Sequence, residues 1–351
     1  MTAQPGTAAG PANTAGPHPT LPAAAQLLLL TNGGRVAQIV YALAELGVAD
    51  AVAGGAGTVG EIAAHTGTDA EALRRILRCA ATVGVFALRP DGRIEMTDMA
   101  EALRSDVPQS QRDMILFNGD PICSRPYGEI VTALRTGRPV FEGIFGAGFF
   151  TYLRQEPEKG ELFDRAMSGM SARSTELLLG ACDFGRFGSV VDVGGGRGHF
   201  LTRLLTRHPH VHGVLLDQAQ VVAGVEQAGF GKRLAVVAGD FFEVVPGAHD
   251  AYVLKAVLHD WDDEDAVRIL RVVRTAIGDR TEARLVVLEH VLSPGDRWDQ
   301  GKFLDIDMML RFGGRERDRA EWEAVLAEGG FALTTEPPAG GGWAALECRP
   351  V

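Results

Sequence analysis

An acid, a run of glycines and a histidine stand together in Val191-Asp192-Val193-Gly194-Gly195-Gly196-Arg197-Gly198-His199. The apolar run before them, Val190–Val193, reads as a strand, so the glycines form a turn between a first strand and a helix. There a ligand can approach the backbone closely. A dinucleotide fingerprint, G-x-G-x-x-G, needs glycine at position 199, where His199 stands instead. The spacing present is D-x-G-x-G-x-G, with Asp192, Gly194, Gly196 and Gly198. It offers a carboxylate for an ammonium group rather than a cradle for phosphate. The second strand ends in Asp217, placed to accept from both hydroxyls of a ribose. The third ends in Gly239-Asp240-Phe241-Phe242, where Asp240 can accept from an adenine amino group while Phe241 packs on the ring. Each acid alone reads more readily as a solvated strand end or a helix cap. Together they point to S-adenosylmethionine and away from NAD.

After a fourth strand comes Lys255-Ala-Val-Leu258-His259-Asp260-Trp261-Asp262-Asp263-Glu264. The LHDWDDEDAVRIL stretch, the DVGGGRG turn and GDFF together resemble the plant caffeic-acid and bacterial polyketide O-methyltransferases, from about residue 30 to the end. The resemblance implies a Rossmann-like class I methyltransferase sheet behind an N-terminal α-helical winged-helix dimerisation domain. It makes His259 the general base. A phenol has a pKa of about 10, and an ordinary imidazole, near 6.5, can take its proton as the oxygen attacks. Glu289 and Glu316 are the candidates to orient that base, as a carboxylate orients histidine in hydrolase triads. Of the two, Glu289 is favoured, because Glu316 reads equally as an exposed loop charge. Asp260 either touches substrate or caps a helix. Lys255 matches a family position at the adenine, and Met167 and Ser171, in a segment resembling FNxxMSxxS, match positions near the cofactor. The acceptor pocket would draw on Met114, Phe117, Tyr127, Phe141, Phe145, Phe149, Met308, Met309 and Phe312, a lining suited to a flat aromatic.

These residues must be positioned by two kinds of structure. From Leu27 to about Leu103 the pattern is helical: Val36, Ile39, Val40, Leu43 and Leu46 recur at helical spacing before Gly47. Thr58 opens a helix over Val59–His65, and Asp69 caps another over Ala70–Val83. A hairpin follows, Val85–Leu88 and Arg93–Met96 about Pro90-Asp91-Gly92. After Gly188, apolar runs at Val190–Val193, Val211–Leu216, Leu234–Val237, Ala251–Leu254 and Leu285–Leu288 alternate with helix-length segments, the mark of a doubly wound sheet. Phe331–Thr335 and Trp343–Cys348 would close it as a hairpin. The expected divisions are a disordered tail (1–22), a winged-helix domain (23–108), a helical connector (109–180) and a methyltransferase domain (181–351).

Composition removes other classes. With 46% hydrophobic and 23% charged residues the chain is globular, and its formal net charge is −11. Residues 45–106 hold ten acids against six bases, so the winged helix lacks the basic footprint of a DNA reader and reads as a dimerisation surface. No unbroken apolar run reaches membrane-span length. Four scattered cysteines form no CxxC pair, which fits a reducing cytoplasm. The expectation is a homodimer, bound to neither nucleic acid nor membrane, that methylates a hydroxyl of a small aromatic metabolite without a metal. Decarboxylation or hydroxylation of a polyketide, and a non-catalytic regulator, stay open as alternatives.

Overall fold

The computed structural model describes residues 21–225, 229–334 and 342–351. All but the last two residues of the expected tail, and Thr335 of the expected terminal hairpin, lie outside them. The chain divides into two compact units at Gly119/Asp120.

In the first unit, helices α1 (Ala23–Leu30), α2 (Gly33–Glu45), α3 (Val48–Ala53), α4 (Val59–Thr66) and α5 (Ala70–Thr82) precede a hairpin of β1 (Phe86–Leu88) and β2 (Ile94–Met96). Then come α6 (Asp98–Glu101) and α7 (Arg112–Gly119). Gly47, at φ +67°, ends α2 as expected, and the short α3 that follows was not legible as a separate helix. Thr58 and Glu61 form a reciprocal capping box on α4, and the Asp69 side chain accepts from Ala72 N to start α5. Leu43, Val48, Ile62, Leu77 and Phe86 are buried together with Ile94 of the hairpin.

The expected connector is not a unit of its own. Its first helix, α7, belongs with α2: Arg112 Nε donates to Ala44 O (3.0 Å) and Gln38 Nε2 to Gly119 O (3.2 Å). A Cβ on Gly119 would collide with the Tyr41 side chain, so the two helices touch where only glycine fits.

The second unit begins with the rest of the connector: α8 (Pro121–Gly128), α9 (Ile130–Thr136), α10 (Phe141–Phe145), α11 (Phe149–Gln155) and the long α12 (Pro157–Ala181). The sheet follows: β3 (Ser189–Val193), α13 (His199–Arg207), β4 (His212–Asp217), α14 (Ala219–Val222), β5 (Leu234–Ala238), β6 (Ala251–Lys255), α15 (Asp263–Ile277) and β7 (Arg284–Leu292). Last come α16 (Gln300–Arg311), β8 (Arg317–Asp318), α17 (Arg319–Glu328), β9 (Phe331–Leu333) and β10 (Gly342–Pro350).

Strands run β5-β4-β3-β6-β7-β10-β9, with β8 beside β7. The first five pair in parallel, and β10 is antiparallel to β7 and β9, the closing hairpin that was expected. Neighbouring residues on a strand face opposite sides. Val191, Tyr252, Leu254 and Val287 pack on α15 and α17, while Val190, Val253, Val286 and Leu288 pack towards α12 and α13. Both faces being covered, the strands read as continuous apolar runs. Strand order reverses at β3, between β4 and β6, so the crevice for a ligand opens at the carboxyl ends of those strands.

The segment Ala23–Glu45 departs from expectation: at mean hydropathy 1.3 it is long and apolar enough, by length and composition, to cross a membrane. Alanines and leucines on either side of Thr31-Asn32 raise the average even though no unbroken run exists. No residue of α1 is buried, and Leu27, Leu28 and Leu30 are 67%, 69% and 62% exposed. An apolar face of that kind needs cover. In light scattering the wild-type chain is expected to have the mass of a dimer at micromolar concentration. A double Leu27→Glu, Leu28→Glu variant is expected to give the monomer mass.

Candidate active site

The glycine turn is built as the spacing implied. Gly194 N–H donates to Leu216 O (2.8 Å), Gly196 N–H to Asp217 Oδ2 (2.8 Å) and Gln218 N–H to Asp217 Oδ1 (2.7 Å), which ties the turn to the end of β4. Gly196 is at φ +60° with open space where a side chain would lie. At Gly195 a Cβ would meet the Asp192 carboxylate and Leu215. Asp192 itself is fully buried, and neither of its oxygens has a hydrogen-bond partner among the described residues. Burial, opposed by the nearby Lys255 charge, pushes its pKa up to about 7. A buried acid without a partner beside an open glycine turn suits a ligand that brings its own cation.

The other expected cofactor residues border the same crevice. Lys255, at the end of β6, bonds Ser171 Oγ of α12 (3.1 Å) and lies 5.1 Å over the Trp343 ring. Burial lowers its pKa, against the pull of Asp192 and Glu289. Met167 is half-buried one turn earlier on α12. The Phe241 ring lies where a Cβ on Gly194 would touch it and packs edge-on to Trp261, with ring centres 6.2 Å apart. Asp240 is exposed and accepts from Phe242 N–H (2.9 Å), so part of its carboxylate holds its own turn. Trp261 lies outside the site residues expected from the sequence. Its contacts with Phe241 and Phe242 (4.7 Å) put it beside this shelf, and its place in the LHDW segment was the available signal.

His259 sits on the 3₁₀ turn Leu258–Asp260 and is buried. Its Nδ1 lies 2.7 Å from Glu316 Oε1 and 3.7 Å from Glu289 Oε2. This corrects the expected order of the two acids. Glu316 lies in a loop but is only 1% exposed, and it makes the hydrogen bond to the ring. Glu289 Oε1 instead accepts from the N–H groups of Val257 and Leu258, both at 2.9 Å. Those bonds shape the turn just after Ala256, a non-glycine residue held at φ +53°, a conformation that costs on the order of 1 kcal/mol. Glu316 is held in turn by Asp305, whose Oδ1 accepts from Glu316 N–H (2.8 Å).

Burial by itself would lower the His259 pKa. The charges of Glu289, Asp260 and Glu316 outweigh it and push the value up to about 10, so the ring is not the ordinary imidazole that was expected. Asp260, with Oδ1 3.5 Å from Nε2, is pushed up to about 7 by burial, against the pull of His259. No metal-ligand cluster was read from the sequence. The fold brings one atom each of His259, Glu289 and Glu316 within 4.8 Å of one another, so an imidazole and two carboxylates share one buried space.

Phe149 of α11 packs on Phe312 (4.8 Å), Phe163 (5.6 Å) and Phe141 (5.1 Å), and Met308 is buried on α16. Met309 packs instead with Ala133, Val140 and Leu310 in a small satellite core, a structural position first. Tyr127 donates to Asp307 Oδ1 (2.8 Å). Met114 and Phe117 belong to α7 of the first unit.

Residues 127–332, which hold the glycine turn, His259, Glu289 and Glu316, match the O-methyltransferase domain. The chain belongs to the O-methyltransferase family. Residues 28–106 match the O-methyltransferase dimerisation domain, which accounts for the capped helices and hairpin of the first unit. Among similar members is the 8-amino-8-demethylriboflavin N,N-dimethyltransferase of Streptomyces davaonensis, 41% identical over 95% of this chain and 97% of that one. The phenazine O-methyltransferase of Lysobacter antibioticus is 36% identical over 94% and 97%. A solved O-methyltransferase of neocarzinostatin biosynthesis, in complex with S-adenosylmethionine and 2-hydroxy-5-methyl naphthoic acid, superposes with a TM-score of 0.79. It is 32% identical, over 93% of this chain and 98% of that one.

The turn carrying His259 is packed backbone to backbone: a Cβ on Gly314 would collide with the carbonyls of His259 and Asp260. Gly314→Ala is expected to destabilise the fold by about 1–3 kcal/mol, as overpacking does. In thermal melts this appears as a lowered Tm, and methyl transfer per folded molecule is expected to fall with it.

Proposed function

We propose that this chain transfers the methyl group of S-adenosylmethionine to a phenolic hydroxyl of a small aromatic secondary metabolite, with His259 as general base. The observation that carries the reading is the 2.7 Å hydrogen bond between His259 Nδ1 and Glu316 Oε1; once the ring is neutral, the carboxylate keeps the proton on Nδ1 and Nε2 is the acceptor. Asp192, the turn at Gly194–Gly198, Asp217, Lys255 with Ser171, and Phe241 would hold the cofactor. The cofactor supplies an electrophilic methyl on a cationic sulfur, which leaves as a neutral thioether.

His259 Nε2 takes the hydroxyl proton as the oxygen forms its bond to the methyl carbon. Glu316, Glu289 and Asp260 stabilise the imidazolium that results. A base whose conjugate acid lies near the pKa of a phenol shares its proton about evenly with the substrate, which favours the nucleophilic phenolate. Holding oxygen and methyl roughly 3 Å apart supplies much of the remaining acceleration. The Phe149, Phe312 and Met308 side chains offer the apolar surface for a flat ring.

A second reading, methyl transfer to an aromatic amine, is favoured by the 41% identity to an N,N-dimethyltransferase. The two differ in their need for a base. A neutral amine attacks with a free lone pair, whereas a phenol must lose its proton as it attacks. A panel of phenols and matched aromatic amines, read by mass spectrometry, identifies the acceptor class. His259→Ala is then expected to cut the rate by about 10² to 10⁴, with cofactor affinity by calorimetry little changed. A loss below about tenfold would sink the hydroxyl reading and support the amine.

The raised pKa of His259 also sets the pH dependence. Below that pKa the ring is protonated and cannot act as base, so kcat/KM is expected to climb about tenfold per unit between pH 7 and 9. Glu316→Gln removes one stabilising charge. The climb is expected to begin at lower pH and to reach a lower plateau, because the ring has also lost its orienting bond. An unshifted profile would show that Glu316 does not hold the base.

A further inference from the structure

Arg317 is fully buried, follows Glu316 directly, and has no part in the chemistry above. Its Nη1 donates to Leu258 O (3.0 Å) and its Nη2 to Trp261 O (3.0 Å), the carbonyls that bracket His259-Asp260. Its Nε donates to Asp263 Oδ1 (2.9 Å), and the guanidinium lies 5.1 Å over the Trp322 ring. Trp322 is anchored through Nε1–H to His290 O (3.1 Å), at the end of β7 that also carries Glu289. On the other side, Arg315 N–H donates to His259 O (2.9 Å) and Gly314 lies against the same peptide. One short segment, residues 314–317, therefore delivers Glu316 to the His259 ring and clamps the backbone on which that ring stands.

Burying a guanidinium is costly unless its donors are met, and an apolar residue of similar size often costs less. Stability alone does not call for arginine here. The fork geometry matters: two diverging N–H groups reach two carbonyls either side of the base while the plane stacks on an indole, which a single ammonium cannot do.

We infer that Arg317 is a positioning residue of the methyl-transfer reaction: its fork locks the Leu258–Trp261 turn to the Glu316 segment and so sets the His259–Glu316 distance. This rests on the reading of His259 as the base. Arg317→Lys keeps the charge and the pairing with Asp263 but loses the fork, so any change in His259 reports geometry rather than net charge.

The decisive measurement is the NMR titration of the His259 ring in the full-length chain, its signal assigned by loss in His259→Ala. In Arg317→Lys the ring pKa is expected to fall by about half a unit or more, because a displaced imidazolium keeps less of the Glu316 interaction. Methyl transfer is expected to fall by roughly 10- to 100-fold, with the calorimetric Kd for S-adenosylmethionine within about twofold of wild type. In the Glu316→Gln background the same substitution is expected to cost less than about threefold, since coupled residues are not additive. A lowered Tm with an unmoved ring pKa and equal penalties in both backgrounds would make Arg317 merely structural and overturn the inference. If the lysine variant does not fold, Asp263→Asn, at a half-exposed partner, loosens the same clamp. An unmoved ring pKa there overturns the inference as well. Full activity in His259→Ala would overturn the base reading and this inference together, whereas an inactive His259→Ala with an unmoved ring in Arg317→Lys would overturn this inference alone.

Discussion

Charge burial is the constraint on which the site depends. An imidazole is enclosed with Glu316, Glu289 and Asp260, and desolvating so many ionisable groups is costly unless each is held. The surrounding structure does that holding. Glu289 caps two backbone N–H groups of the turn, Asp305 caps Glu316, and the carbonyls of the turn are taken by Arg315 and Arg317. The energy stored in the carboxylate cluster appears as proton affinity at His259. That affinity strengthens the base towards a weakly acidic hydroxyl and, by the same amount, reduces the fraction of rings free to act at neutral pH.

The sheet separates two tasks along one edge. At the reversal of strand order, β3 and β4 present Asp192, the glycine turn and Asp217, where a backbone turn and an unpartnered acid suit a polar, positively charged ligand. One strand further, β6 and β7 present Lys255 and Glu289 and launch the turn bearing His259. Because these strands are parallel and in register, Lys255 opposite Leu288, the distance between the two halves is set by the spacing of strands rather than by flexible loops. On the apolar side Phe149 of α11 packs edge to face with Phe163 of α12 and with Phe312 at the C-cap of α16.

The first unit follows a different logic. It is held by capped short helices and a small hairpin, with its apolar residues divided between a core and an exposed face on α1. That face raises the hydropathy of residues 23–45 to that of a membrane span, while the family match from residue 28 assigns the region to dimerisation. Average hydropathy cannot distinguish the two, because a lipid tail and a partner's leucines remove the same area from water.

What could be read from the chain by itself was whatever depends on local order. The Asp192 to Gly198 spacing, the caps at Thr58 and Asp69, the hairpin at Gly92 and the alternation of strands with helices are encoded within a few residues of one another. So was the LHDW segment, which carried the family. The ranking of Glu289 and Glu316 was not legible. Glu316 lies 57 residues from His259, in a Gly-Gly-Arg-Glu-Arg run whose composition is that of an exposed loop. Only the docking of that loop against the turn, permitted by Gly314 and fastened by Arg317, buries Glu316 and brings its oxygen 2.7 Å from the ring. The proton affinity of His259 was hidden for the same reason. It is a sum over charges contributed by three separate segments, and their separation in space is decided by packing rather than by sequence distance.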